Sequence, residues 1–357
     1  MSAKTIACTL FIVASFVVSS TLSLAGAAQP AKSRVLIHYL PSAQPVHLDR
    51  ERLQVFVAKP DPALSEEDAT RLAEGLFSYT QATFSRDYDA AEKRQAHLLF
   101  RDPKDPSANL DVDLQTRELR FNKGLAPYKK EEDTGQLPTD EDAARLALAH
   151  LDKLSMLPPR DELVLAHVGG MNMGVHRSDG STSLYRKLIV VRYDRTLAGL
   201  PVFGQSRVVL RLAENGSLVG LTRRWMPVAG ESVRPEELLS DKAIAQAIRD
   251  QLLADGRSAR SIVVKRMDLV LYDHGGGVIE PAIRILASMH YEDKVVNSRI
   301  VGEVRRLDVP YDTFVPVLKH HRTRYPFERD AEATRRIKSD QPPRMQEQEE
   351  PRIEGRS

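Results

Sequence analysis

Val191-Arg-Tyr-Asp-Arg-Thr-Leu-Ala-Gly-Leu-Pro-Val-Phe-Gly-Gln-Ser-Arg-Val-Val-Leu-Arg-Leu-Ala-Glu-Asn-Gly-Ser-Leu-Val-Gly-Leu221 is the stretch that decides how this chain is read. Its apolar residues alternate, which predicts strands over residues 184–193, 202–212 and 217–227. Asn215-Gly216 stands between the last two and is a strong hairpin signal, because both residues tolerate the positive φ of a tight turn. Immediately upstream, Leu163 to Val168 reads as a further strand, and before it Pro138-Thr139-Asp140-Glu141-Asp142 offers a helix cap followed by first-turn acids. Ala143, Leu146, Ala147, His150, Leu151 and Leu154 then lie on one side of a helix that stops before Pro158-Pro159.

The same order, an acidic helix start followed by alternating segments, recurs on both flanks at a spacing of roughly eighty to a hundred residues. On the N-terminal side Ser65 caps a helix bearing Ala69, Leu72, Ala73, Leu76 and Phe77, with strands over residues 97–100, 108–114 and 118–121. On the C-terminal side Ser240-Asp241 opens a helix bearing Ala243, Ile244, Ala247, Ile248 and Leu252, which ends near Gly256. Strands are expected there over residues 261–272, 278–291 and 299–309, with Asp273-His274-Gly275-Gly276-Gly277 as a turn. The pattern predicts an α+β chain of tandem cystatin-like modules, each a helix packed on a curled antiparallel sheet. Each copy is too small to bury much apolar surface alone, so the copies are expected to pack on one another. Residues 123–137 and 227–237 read as linkers.

The stretch at residues 185–228 resembles the propeptide of secreted thermolysin-like and fungalysin-like metalloproteases. Those propeptides carry a tight turn reading Gly-hydrophobic-Pro-Val-hydrophobic-Gly between two strands, matched here by Gly199-Leu200-Pro201-Val202-Phe203-Gly204. Residues 239–290 resemble the PepSY module that follows it, through Leu269-Val-Leu-Tyr272, a Gly-rich turn and Ala282-Ile-Arg-Ile285. The resemblance implies a PepSY-like module over 34–125, a propeptide-like module over 138–228 and a PepSY-like module over 239–310. In that family the propeptide assists folding of its own peptidase and inhibits it until removed. No peptidase sequence follows here, so the resemblance implies a binding protein that acts in trans on a peptidase, as inhibitor or folding helper. The alternative is a cell-envelope module that uses the same fold to bind a ligand or partner unrelated to proteolysis.

The N-terminus carries Lys4, an apolar run from Ile6 to Leu24 and Ala25-Gly26-Ala27, which reads as an export signal over residues 1–27. A retained anchor is the other reading of that run. The single cysteine, Cys8, lies inside it, so the exported chain is expected to have no disulfide, thiol chemistry or Cys-ligated metal. That points to a bacterial periplasmic or extracellular protein. With 51 Lys and Arg against 49 Asp and Glu the formal net charge is +2, which gives no field for nucleic acid. From Lys319 to Ser357 apolar residues become scarce, and a charged, partly helical, then disordered tail is expected.

Catalytic signatures are missing from the sequence. There is no His-Glu-x-x-His and no Gly-x-Ser-x-Gly, and the ten His are scattered apart from His320 and His321. Asp111 and Asp113 share a strand face, a spacing that can bind a cation or serve as paired carboxylates and that is also the pattern of an ordinary solvent face. No enzyme activity, metal or cofactor is expected. The candidate partner-binding residues are Gly199, Leu200, Pro201, Val202, Phe203 and Gly204, together with Met171, Met173 and Trp225. Met171 and Met173 lie in Gly169-Gly-Met-Asn-Met-Gly174, which reads either as a long hairpin tip or as an adaptable apolar surface. Trp225 reads either as core filling at a module boundary or as an interface anchor. A partner would dock at a sheet edge or loop as an extended segment.

Overall fold

In a computed structural model the described residues are 35–326, except 44–47, 60–63, 78–83, 86–96, 102–106, 125–127, 129 and 298–299. The export-signal reading at residues 1–27 and the tail beyond residue 326 lie outside the described residues.

Among the described residues fourteen strands and three α-helices follow one another, with short 3-10 turns at Glu214–Gly216 and Pro235–Glu237. They are β1 (Leu36–Tyr39), β2 (Gln54–Ala58), α1 (Glu66–Phe77), β3 (Phe84–Ser85), β4 (His97–Arg101), β5 (Ala108–Asp113) and β6 (Leu119–Lys123). Then come α2 (Asp140–Lys153), β7 (Leu163–His176), β8 (Thr182–Leu197), β9 (Leu200–Leu212), β10 (Leu218–Arg224), β11 (Val228–Ser232), α3 (Asp241–Asp255), β12 (Ser261–Asp273), β13 (Val278–Asn297) and β14 (Ile300–Pro316). The three helices start where their caps predict. Ser65 Oγ accepts from Asp68 N (3.0 Å), Thr139 Oγ1 from Asp142 N (3.2 Å) and Ser240 Oγ from Ala243 N (3.3 Å).

The strands do not divide into modules. All fourteen belong to one mixed sheet, whose main path runs β11-β2-β13-β12-β9-β10-β6-β5-β4-β3, with β1 on β12, β14 on β13, and β7 and β8 continuing from β9. This overturns the tandem cystatin-like arrangement. Strands on opposite sides of each expected boundary are hydrogen-bonded neighbours: Leu221 of β10 pairs with Phe121 of β6, and Val202 of β9 pairs in parallel with Leu271 of β12. The N-terminal strands β1 and β2 sit on β12 and β13 rather than with β4 to β6. Periodicity reports which side chains face a core, and that information is the same whether a strand ends a small sheet or joins a large one. Small sheets would leave unpaired edges at every boundary, and fusing them satisfies those backbone groups.

The helices cover the sheet in an equally shared way. Ala69, Leu72, Ala73 and Leu76 of α1 and Ala143, Ala147 and Leu151 of α2 enter a single core with Phe100, Leu110, Phe121, Val191, Leu210 and Leu221. Ile244, Ile248 and Leu252 of α3 pack in a second core with Ile262, Val264, Ile283 and Ile285. Each fully buried Leu or Ile contributes about 1.5–3 kcal/mol by leaving water.

Both expected linkers take part in the fold. Asp133 Oδ1 accepts from Arg186 N (2.7 Å) and Thr134 N donates to Arg186 O (2.9 Å), so residues 130–134 run alongside β8, while β11 lies inside 227–237 and pairs with β2. The expected tail begins packed: Thr323 is 1% and Tyr325 0% exposed. The buried Glu280 carboxylate holds that segment by accepting from Arg322 N and Thr323 N, both at 2.9 Å. Among the described residues no helix is long and apolar enough to cross a membrane.

Candidate protein-binding edge

The six residues from Gly199 to Gly204 lie at the seam between the two halves of the sheet. Ala198 and Gly199 both have positive φ (49° and 78°) and close the β8–β9 hairpin, after which Leu200, Pro201 and Val202 pair with Leu197, Thr196 and Arg195. The ladder then breaks. Arg195 faces Val202 but its neighbour Asp194 faces Arg207, so Phe203 to Ser206 bulge from β8, while along its other edge β9 pairs Val202, Phe203 and Gly204 with Leu271, Tyr272 and Asp273 of β12 and then residues 207–212 with β10. Gly204 makes this change of partner possible. Its φ is +113°, and a Cβ there would lie 1.9 Å from the Asp273 carbonyl oxygen, so a side chain is excluded twice over.

Around that kink the side chains are committed to the interior. Val202 is 4% exposed and joins Phe56, Leu197, Leu271 and Ile279, with Leu200 packed against them. Phe203 lies against Phe314 (5.9 Å between centroids) and beneath the Arg284 guanidinium (4.1 Å), while Ser206 Oγ donates to the Asp273 carboxylate at 2.6 Å. Of the six, Gly199, Pro201 and Gly204 are exposed, and Leu200 and Phe203 are half-buried. The family-like motif therefore welds the sheet together.

Trp225 has the same fate at the end of β10. It is 2% exposed, and its Nε1 donates to Glu162 Oε2 (3.2 Å). That carboxylate also receives Arg195 Nε (2.9 Å) and Nη2 (2.7 Å), and the guanidinium lies 5.1 Å from the Trp225 ring while Nη1 donates to Met226 O (2.9 Å). Burial lowers the Arg195 pKa, and Glu162 opposes the shift. A buried cation engaged through Nε, Nη1 and Nη2 is a structural device, so Trp225 follows the core reading.

Met171 and Met173 are placed differently. Gly169 to Gly174 does not form a hairpin tip but continues β7, whose ladder with β8 runs without a loop from Leu163 to His176. Met171, Met173 and Val175 are half-buried on one face and Gly170, Asn172, Gly174 and His176 are exposed on the other; Met171 packs against Leu188, Ala213 and Val219. Only residues 189–197 of β8 are paired with β9, so the outer part of the β7–β8 hairpin projects past the end of β9. Among the described residues β7 is bonded to β8 on one side and to no strand on the other. At its start Val164 and Leu165 are 48% and 49% exposed.

The remaining candidates do not converge. His97 stands between the two aspartates, with Nδ1 3.4 Å from Asp111 Oδ1 and Nε2 3.5 Å from Asp113 Oδ2, and Asp113 caps a turn by accepting from Gln115 N and Thr116 N. His320 lines a cleft with Glu231, Glu237, Glu280 and Arg322, whereas His321 lies against Tyr325 at 5.3 Å, so the adjacent pair points to different surroundings. A feature the sequence gave no sign of is a groove of about 780 Å³ beside α3, lined by Tyr39, Ala43, Leu48, Ile244, Ile248 and Met267. The edge itself had a signal: from Gly169 to Val175 every second residue is Gly, Met, Met and Val, a strand alternation masked by glycines.

No family model and no curated protein matches the chain. Among solved structures it is similar to the Bacillus megaterium YpeB C-terminal domain, with 13% identity over 69% of this chain and 99% of that one and a TM-score of 0.34. It is also similar to an uncharacterized protein from Eubacterium rectale, with 11% identity over 76% of this chain and 86% of that one and a TM-score of 0.39.

Proposed function

We propose that this chain is a non-catalytic binding protein acting outside the cytoplasm, which holds an extended segment of a peptidase along the outer edge of β7 as inhibitor or folding helper. The observation that carries the reading is β7: fourteen residues with one free edge and no Asp, Glu, Lys, Arg or Pro. An added strand is held by backbone hydrogen bonds, and the half-buried row of Met171, Met173 and Val175 offers adaptable contacts for alternate side chains. The resemblance of residues 185–228 to metalloprotease propeptides supplies the class of partner.

The test is titration of a thermolysin-type peptidase with the purified chain and a slowly cleaved substrate, following the chain for consumption. Saturable inhibition near a stoichiometric ratio is expected, and Gly174→Lys should abolish it. Absence of inhibition by the unaltered chain would end the peptidase reading. The groove beside α3 favours a second reading, an envelope module that binds an apolar ligand. Saturable one-to-one binding of anilinonaphthalene sulfonate, lost in Ile248→Arg, would support it.

A further inference from the structure

We infer that the outer edge of β7 pairs with the β7 edge of a second copy of this chain, antiparallel and about a two-fold axis, so that one sheet runs through both protomers. This rests on the reading of β7 as the binding edge and names the occupant that edge takes when no other partner is present.

Among the described residues the other free edges are each defended, the outer part of β8 by Arg186, Lys187 and the residues 133 and 134 bonded alongside it. β1 has four residues and β3 two, β11 has five and carries Glu231, and β14 carries Pro310 and Pro316 with Asp308 and Asp312 between and beside them. Short length, proline and charge are the devices by which sheet edges avoid pairing. β7 has none of them, being fourteen residues long and free of acidic residues, Lys, Arg and Pro.

Symmetry selects the second copy. A two-fold axis brings residues beside it close to their own counterparts and sets the same edge against itself, so an edge of one charge sign would repel itself. An edge without Asp, Glu, Lys or Arg meets no such penalty, and it also offers no fixed charge by which to select an acidic or basic segment. The backbone is suited to the pairing. One irregularity of the β7–β8 ladder places an extra residue on β7 at Ala166, but the other places it on β8 at Lys187, so β7 itself is unbulged from His167 to His176. An axis through Asn172, perpendicular to the sheet, would set Met171 opposite Met173 of the second copy, and Met173 opposite its Met171, on the half-buried face. On the exposed face the same axis would set Gly170 opposite Gly174; Gly174 has open space around it, and the Arg186 side chain lies over Gly170. Flexible thioethers fill such a shared row readily. The paired surface is small, so association at about micromolar concentration is expected.

Sedimentation velocity from about 1 to about 100 µM tests this. Three proteins are compared: the purified chain, Gly174→Lys and, as a control on the other long edge, Leu307→Lys. At Gly174 an added Cβ meets no atom within 4 Å, and Leu307 is 55% exposed, so both variants keep the protomer's packing. The chain and Leu307→Lys should pass from protomer to dimer across the range, while Gly174→Lys associates at least about tenfold more weakly. A chain that stays at protomer mass up to the highest concentration, or a Gly174→Lys that dimerises as the unaltered chain does, overturns the inference. The two readings of the edge separate cleanly. Protomer mass together with peptidase inhibition that Gly174→Lys abolishes removes self-pairing and leaves the binding edge. The expected dimerisation without inhibition removes the peptidase and leaves self-pairing.

Discussion

At Gly204 on β9 an added Cβ would lie 1.9 Å from a backbone oxygen, whereas at Gly174 on β7 it would meet no atom within 4 Å. The first glycine belongs to the part of the sequence that most resembles a known module, and its backbone is pressed against Asp273 of β12. The second belongs to a stretch with no family signature, and it faces solvent on a strand whose outer hydrogen-bonding groups are unpaired. The contrast teaches that a recognisable motif marks where backbone geometry is constrained, and such constraint is strongest inside the fold. Surfaces that meet partners can be plain by comparison, because pairing along an edge uses backbone groups that every residue has.

Substitution at the seam should give the largest effects. Gly204→Val places a β-branched residue at φ +113° against Asp273 O, so β9 must leave β12 or the sheet must open between its halves. A loss of roughly 3 kcal/mol or more is expected, read as a fall in the urea midpoint. An unchanged midpoint would mean that the two halves are not joined through this kink. Glu162→Ala comes next. It leaves the Arg195 guanidinium, 2% exposed, without its carboxylate, and removes the acceptor for Trp225 Nε1. About 3 kcal/mol is expected, since an uncompensated buried charge costs more than the pair contributed. Trp225→Phe, which deletes the indole donor and leaves a smaller buried ring but keeps the Arg195–Glu162 pair, should lose about 2 kcal/mol, and a smaller loss for Glu162→Ala than for Trp225→Phe would show that the ion pair adds little.

The seam and the edge were not equally legible. Helix positions followed from the caps Ser65, Thr139 and Ser240 and from apolar spacing, because both signals are local. Asn215-Gly216 was likewise readable as a turn, and Asn215 has φ +53° as that turn demands. Strand partners were hidden, since Leu221 carries nothing in its own neighbourhood that names Phe121 as its pair. The passage of one β9 edge from β12 to β10 has one sequence mark, Gly204, whose need arises only when Asp273 arrives beside it. On β7 the reason is different: glycine disfavours strands on average, so Gly169, Gly170 and Gly174 read as a loop, and the ladder with β8 overrides that preference.

A paired comparison of modest size sharpens the contrast. Val202→Ala at the seam removes two methyl groups from a closed cluster with Leu197, Leu271 and Ile279, and about 2 kcal/mol should be lost. Met171→Ala on β7 removes a longer side chain that is only half-buried against Leu188 and Val219, yet about 1 kcal/mol is expected. The larger deletion should therefore cost less. Equal or reversed losses in urea unfolding would place Met171 in the core and take it away from any docking surface.

The smallest stability effect belongs to Gly174→Lys, and its smallness is what gives it value. The position has ordinary negative φ and open space around it, so the variant should unfold within about 0.5 kcal/mol of the unaltered chain when both are protomeric. Any link between unfolding and association appears as a concentration dependence of the midpoint, because a dimer that forms only between folded chains adds stability by mass action. The unaltered chain should gain stability as its concentration rises and Gly174→Lys should not, so the two midpoints coincide when dilute and separate when concentrated. A constant offset at all concentrations would instead place the fault inside the protomer, at the β7–β8 ladder, and would put Gly174 in the same class as Gly204.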